Sequence, residues 1–208
     1  MPLAPELLSR VDDSPDALFY ELPRMVTHID EVTITALSDY YREILPPGCA
    51  VLDLMSSWVS HLPDVSYRRV AGLGMNKAEL EANPQLSEHV VHDLNEDPEL
   101  PYDDKSFDAV VNAVSIQYLI QPVAVFTSIR RVLKPGGISV VAMSHRCFPT
   151  KAIQAFHYLS GSERQALVSH YHALAGGFDA PEQIDRSPPN GDPLWIVRAR
   201  RRSVPIED

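Results

Sequence analysis

Apolar positions along the chain recur with two periods that alternate. Ile29, Val32, Leu37, Tyr40, Tyr41 and Ile44 follow helical spacing, and Pro46-Pro47-Gly48 stops that helix. Ala50-Val51-Leu52-Asp53-Leu54 is almost wholly apolar, which suits a central strand buried on both faces. Further strands are expected at Arg69 to Leu73, His89 to His92, Phe107 to Ala113, Ile138 to Met143 and Leu194 to Arg200. Helix patterns separate them: a short one at Lys77 to Glu81, another at Val123 to Leu133, and a third ending at Gly176-Gly177, for which Ser162-x-x-Gln165 reads as a capping box. Lys134-Pro135-Gly136-Gly137 is expected as the turn after the second. Alternation of this kind predicts the α/β class: a doubly wound, mostly parallel sheet with helices on both faces and a C-terminal antiparallel β element. In such sheets ligands sit beyond the carboxyl ends of the strands.

Composition narrows the partners. The 208 residues are 45% hydrophobic and 22% charged, and 18 basic against 28 acidic residues give a net charge of −10. An acidic surface repels nucleic acid and anionic membrane alike, so neither is an expected partner. The basic run Arg198, Arg200, Arg201 and Arg202 reads as a solvated strand end. Two cysteines make no disulfide framework, and no Cys/His cluster has zinc spacing, so no metal is expected. The first residues have no cationic segment followed by an apolar core, and the apolar runs are too short to span a bilayer; the expected location is cytoplasmic.

Two longer segments carry a resemblance. Leu100-Pro101-Tyr102-Asp103-Asp104-Lys105-Ser106-Phe107-Asp108-Ala109-Val110-Val111 lies around the fourth strand, and Ile129-Arg130-Arg131-Val132-Leu133-Lys134-Pro135-Gly136-Gly137 closes the helix before the fifth. In these motifs, their order and their separation, the stretch from Val51 to Met143 resembles the class I (Rossmann-like) S-adenosylmethionine-dependent methyltransferases. The resemblance implies transfer of a methyl group from S-adenosylmethionine, leaving S-adenosylhomocysteine. It also implies roles. Asp53 matches the acid that supports the loop around the cofactor's methionine part. Asp93 matches the acid that accepts a hydrogen bond from the adenine amine, with Leu94 and Met75 beside the purine. Asn112, Ala113 and Ser115 match the segment that passes the sulfonium.

Two departures from the family pattern stand out. The glycine-rich loop after the first strand reads Met55-Ser56-Ser57-Trp58-Val59, with all three usual glycines replaced. Ser56 and Ser57 are therefore expected to bind the methionine carboxylate, and Trp58 and His61 to wall the pocket. The acid that grips the ribose falls at Gly74, and Asn76 is its expected substitute. Upstream, Tyr20-x-x-Pro23-Arg24-x-x-x-His28 is expected to form a lid, with Arg24 on the cofactor carboxylate.

Methyl transfer is an in-line displacement with a good leaving group, so positioning carries most of the catalysis. His145 and Tyr118 are the candidate catalytic residues, and Gln117, Tyr118 and Arg146 the candidate acceptor contacts. One domain is expected: a helical lid over residues 1–48, a cofactor core over 49–145, and acceptor-side helices with the terminal β element over 146–208. That size suits a small-molecule acceptor. Two other readings are a non-catalytic or regulatory S-adenosylmethionine-binding relative and an NAD-dependent oxidoreductase. The second lacks its glycine fingerprint after the first strand.

Overall fold

The computed structural model describes residues 4–203; the outermost residues of the expected lid and terminal segments, 1–3 and 204–208, lie outside them. The described residues build a seven-stranded sheet of order β3-β2-β1-β4-β5-β7-β6. Its strands are β1 Ala50–Leu54, β2 Arg69–Gly74, β3 Glu88–Val91, β4 Phe107–Ala113, β5 Leu133–Met143, β6 Glu182–Asp185 and β7 Trp195–Arg200. The first five run parallel, and β7 pairs antiparallel with both β5 and β6. The helices are α1 Pro5–Leu8, α2 Asp16–Phe19, α3 Glu31–Ile44, α4 Lys77–Ala82, α5 Pro122–Val132, α6 Ala155–Tyr158 and α7 Gly161–Ala175. This is the expected α/β class. None of the helices is long and apolar enough to cross a membrane.

The largely apolar runs of β1, β4 and β5 follow from cover on both faces. Leu52, Leu54, Val110 and Val141 point to one side, where Phe126 and Ile129 of α5 and Val168 and Tyr171 of α7 pack on them. Val51, Val111 and Val140 point to the other, beneath Leu37, Tyr40 and Tyr41 of α3. Alternate residues of one strand thus feed two separate cores.

The motif residues that carry the resemblance are largely scaffold. Asp108 of β4 accepts from the Ala50 amide at 2.8 Å and from Lys134 Nζ at 2.7 Å, joining the start of β1 to the start of β5. Arg131 donates to the carbonyls of Leu100 and Tyr102 at 2.6 and 2.8 Å, fixing the segment before β4.

Three expectations need correction. The capping box of α7 is Ser160 with Glu163, two residues earlier than expected, and Gln165 instead donates to the carbonyls of Ile184 and Ile196. Lys134 to Gly137 belongs to β5, whose pairing with β4 shifts register between Phe107 and Ala109. The edge strand β6 was not foreseen. Between β1 and β2 the described chain has no helix: residues 55–68 cross as an irregular loop, with Leu62 buried in the α3-side core.

Candidate active site

A pocket opens at the carboxyl ends of β1, β2 and β4 and is covered by residues from the segment before α3. Its floor takes Asp53 and Met55 at the end of β1, Leu73 to Asn76 at the end of β2, Asp93 to Asn95 after β3, and Ala113 to Ser115 at the end of β4. Asp16, Tyr20, Arg24 and Val26 to His28 cover it, and Tyr118 and Phe148 close one side.

The loop after β1 reaches this place by an unusual path. Met55, at the first replaced glycine, has φ +59°, the left-handed conformation that glycine adopts freely and other residues at a cost of about 1–2 kcal/mol. Ser56 then donates its amide to the Leu73 carbonyl at 2.7 Å, laying the loop across the end of β2. There the Ser56 carbonyl fills the space a Cβ on residue 74 would need, so Gly74 is forced by packing. Val114, after β4, also has positive φ, at +53°, uncommon for a β-branched residue. Strain on two strand ends that line one pocket marks it as a functional place.

Asp53 is fully buried. Its Oδ2 accepts from Ser56 Oγ at 2.5 Å, and no cation among the described residues pairs with it. Burial pushes its carboxyl up to about 7, against the Ser56 and Ser60 hydrogen bonds that lower it. Ser57 Oγ donates to Glu79 Oε2 at 2.6 Å, and Glu79 Oε1 takes the Arg24 amide at 2.6 Å. Asn76 caps α4 through its oxygen, and its nitrogen donates to the carbonyls of Tyr20 and Glu21. In this arrangement Ser56, Ser57 and Asn76 spend their hydrogen bonds within the protein, binding the loop and the covering segment to the strand ends.

A buried ion cluster holds that cover down. Lys151 is wholly inaccessible, and its Nζ lies 3.1 Å from Asp16 and 3.3 Å from Asp12. Asp16 also takes both 2.8 Å bonds from Arg10 and a 2.7 Å bond from Asn95 Nδ2. Asn95 follows Asp93 and also donates to the Tyr118 carbonyl, so one amide ties the β3 loop, the cover and the acceptor side together. Trp58 Nε1 adds a bond to the Val26 carbonyl at 3.0 Å.

Of the expected site residues, Tyr20, Arg24, Asp53, Met55, Ser56, Ser57, Met75, Asn76, Asp93, Leu94, Ala113, Ser115 and Tyr118 come together around the pocket. Five do not line it, among them Trp58, whose ring nitrogen turns to the Val26 carbonyl, whereas His61 does wall the pocket as expected. Asn112 is buried beneath, donating to the Leu54 carbonyl and Ser115 Oγ. Gln117 turns inward to the Val114 carbonyl. Arg146 forks onto Asp192 at 3.0–3.1 Å, and half-exposed His145 lies 3.6 Å from the same carboxylate. Tyr118 accepts the Phe148 amide, and burial pushes its hydroxyl up to about 12. Arg24 lies over the Phe19 ring at 4.4 Å and near that of Phe148 at 5.3 Å. Sequence reasoning missed Asp16, Glu79, Asn95 and Phe148. For Asn95 the position two after Asp93 was a usable signal; for the others nothing local marked them.

The pocket fits a cofactor with an adenine and a cationic end. Among the described residues Asp93 has one carboxylate oxygen without a hydrogen bond while Oδ1 takes the Asn95 amide, apolar Leu73, Met75 and Leu94 lie alongside, and Asp53 is a buried carboxyl with no cation paired to it. Such a sheet, with an acid-lined pocket at its strand ends, defines a Rossmann-like enzyme of the nucleoside-cofactor type. Residues 53–141 match the family model of a methyltransferase domain, so this stretch of the chain is a methyltransferase domain, of the kind whose cofactor is S-adenosylmethionine. No curated protein matches it by sequence. Solved structures share the fold at low identity. The [4+2]-cyclase SpnF has a TM-score of 0.60 and 18% identity, over 81% of this chain and 80% of that one. An S-adenosylmethionine-dependent methyltransferase from Mesorhizobium loti gives 0.54 and 17%, over 80% and 98%. Phosphoethanolamine N-methyltransferase 2 from Haemonchus contortus, in complex with S-adenosyl-L-methionine, gives 0.58 and 15%, over 81% and 52%.

Proposed function

We propose that the enzyme methylates a small-molecule acceptor. The observation that carries this reading is the cover: residues 10–28 lie over the strand ends and are fastened by buried Lys151 and Asp16, which leaves a partly covered pocket rather than a flat surface for a polymer. The net charge of −10 points the same way, against nucleic-acid and anionic-membrane partners.

The cofactor supplies an electrophilic methyl on a sulfonium. In this reading Asp93 accepts from the adenine amine while Leu94 and Met75 flank the ring. Asp53 faces the cationic end, and Arg24 has donors left for the carboxylate. The strained turn at Val114 brings backbone close to the reacting centre. A helix N-terminus after the first strand, which elsewhere serves anions, is missing among the described residues, so side chains must hold the charged end. The protein's catalytic work is to orient the acceptor and exclude water.

Calorimetric titration with S-adenosylmethionine, S-adenosylhomocysteine and NAD tests the reading. The first two should bind and NAD should not, and Asp93→Ala should weaken binding at least tenfold. An unchanged affinity would refute the adenine placement. A second reading is favoured by the likeness to SpnF, named a cyclase: the fold also hosts other chemistry, and here binding would occur without methyl transfer to any acceptor.

A further inference from the structure

The polar groups of the pocket can be accounted for one by one, and most are already taken. Asp16 is filled by Arg10, Lys151 and Asn95; Glu79 by the Arg24 amide and Ser57; Asn76 by two carbonyls and the Glu79 amide. Two imidazoles are left over. His28 and His61 both line the pocket, and neither makes a hydrogen bond among the described residues. The Nδ1 of His61 is out of contact with solvent and has no partner, a state that costs free energy unless a ligand supplies one. His61 also has positive φ, at +55°, so the backbone is held in a costly conformation where it presents this ring.

We propose that His28 and His61 form the polar end of the acceptor site and that the acceptor is a planar aromatic compound bearing a hydroxyl. The proposal rests on the methyltransferase reading and adds the acceptor's class. Burial lowers the basicity of both rings, His61 to about 4, so each is neutral at pH 7 and offers one N–H and one lone pair. A hydroxyl both donates and accepts, and matches that pair. A carboxylate would find no cation in these rings. The neighbouring wall is aromatic: His28 meets Phe148 edge-on at 5.3 Å, and Phe148 stacks on Tyr118 at 5.7 Å with 26° between planes. Such a wall suits a flat ring. Arg24 over the same cluster repels a cationic amine.

The test uses 4-methylphenol, whose hydroxyl stays neutral at pH 7, and benzylamine as probes of the protein saturated with S-adenosylhomocysteine. The phenol should bind saturably. His28→Ala and His61→Ala should each weaken it about tenfold or more while S-adenosylhomocysteine affinity stays within twofold. The glutamine variants, which keep bulk and polarity, serve where alanine lowers the melting temperature. A tenfold loss of S-adenosylhomocysteine affinity would overturn the proposal by assigning the histidines to the cofactor. Benzylamine binding as tightly as the phenol would overturn the acceptor class, and so would a cofactor complex that takes no phenol. If wild-type protein binds no S-adenosylhomocysteine, the methyltransferase reading itself fails, and this inference with it.

Discussion

The Ser56 carbonyl oxygen stands where a Cβ on residue 74 would be, and it is held there by the Ser56 amide bonding to the Leu73 carbonyl at 2.7 Å. The two departures from the family pattern are therefore one structural event. A loop without glycines takes a path over the end of β2, and the residue beneath it loses its side chain.

Restoring the usual acid should accordingly do harm. Gly74→Asp is expected to cost about 2 kcal/mol through overpacking against backbone, lowering the melting temperature by several degrees. Thermal unfolding with and without S-adenosylhomocysteine checks it. An unchanged melting point with tighter binding would show that the loop gives way easily.

Burial of Asp53 lowers the stability of the free protein at neutral and higher pH. Its folded-state pKa, raised to about 7 from the ordinary 3.8, means the folded protein favours the protonated acid. Stability is lost as pH rises between those values, and the full penalty applies above 7. Asp53→Asn should therefore raise the melting temperature of the free protein at pH 8, by about 2–4 °C for each 1 kcal/mol regained. A cationic ligand favours the carboxylate, so wild-type affinity for S-adenosylmethionine should climb with pH up to about 7 and level off beyond it. The asparagine variant should bind weakly with no such slope.

Lys151 is the clasp of the cover. Lys151→Met should cost about 3 kcal/mol, since it leaves buried Asp16 with one cation fewer. Hydrogen exchange should quicken across residues 10–28 more than in the sheet. Uniform acceleration would show that the cluster supports the whole fold and not the cover.

Trp58 ties loop to cover more lightly. Trp58→Phe removes the bond to the Val26 carbonyl and should cost about 1 kcal/mol. Faster exchange at residues 22–28, with the melting point nearly unchanged, is the expected result.

The strands β1, β4 and β5 were legible because burial on both faces writes itself as a largely apolar run, and α3 and α5 because one face repeats at helical spacing. The edge strand β6 was not, since three of its four residues are exposed and carry no apolar period. Asp53, Asp93 and the covering segment were readable by their positions relative to strand ends. The partners of Asn76, Ser57 and Arg146 were not: Tyr20, Glu79 and Asp192 lie 56, 22 and 46 residues away in the chain. Gly74 gave the clearest lesson. Its meaning depends on a backbone oxygen eighteen residues earlier, and no side-chain pattern records where a carbonyl goes.

The fastening of the cover has a consequence for the order of synthesis. Ser14 and Asp16 are made well before the residues that hold them, Lys151 and Asn95, which follow 137 and 79 residues later. The amide of Asp30 waits longer still, for Asp192, 162 residues on. The segment that closes the active site therefore cannot be fully fastened until most of the sheet exists, so the roof of the pocket is completed only after its floor has been laid.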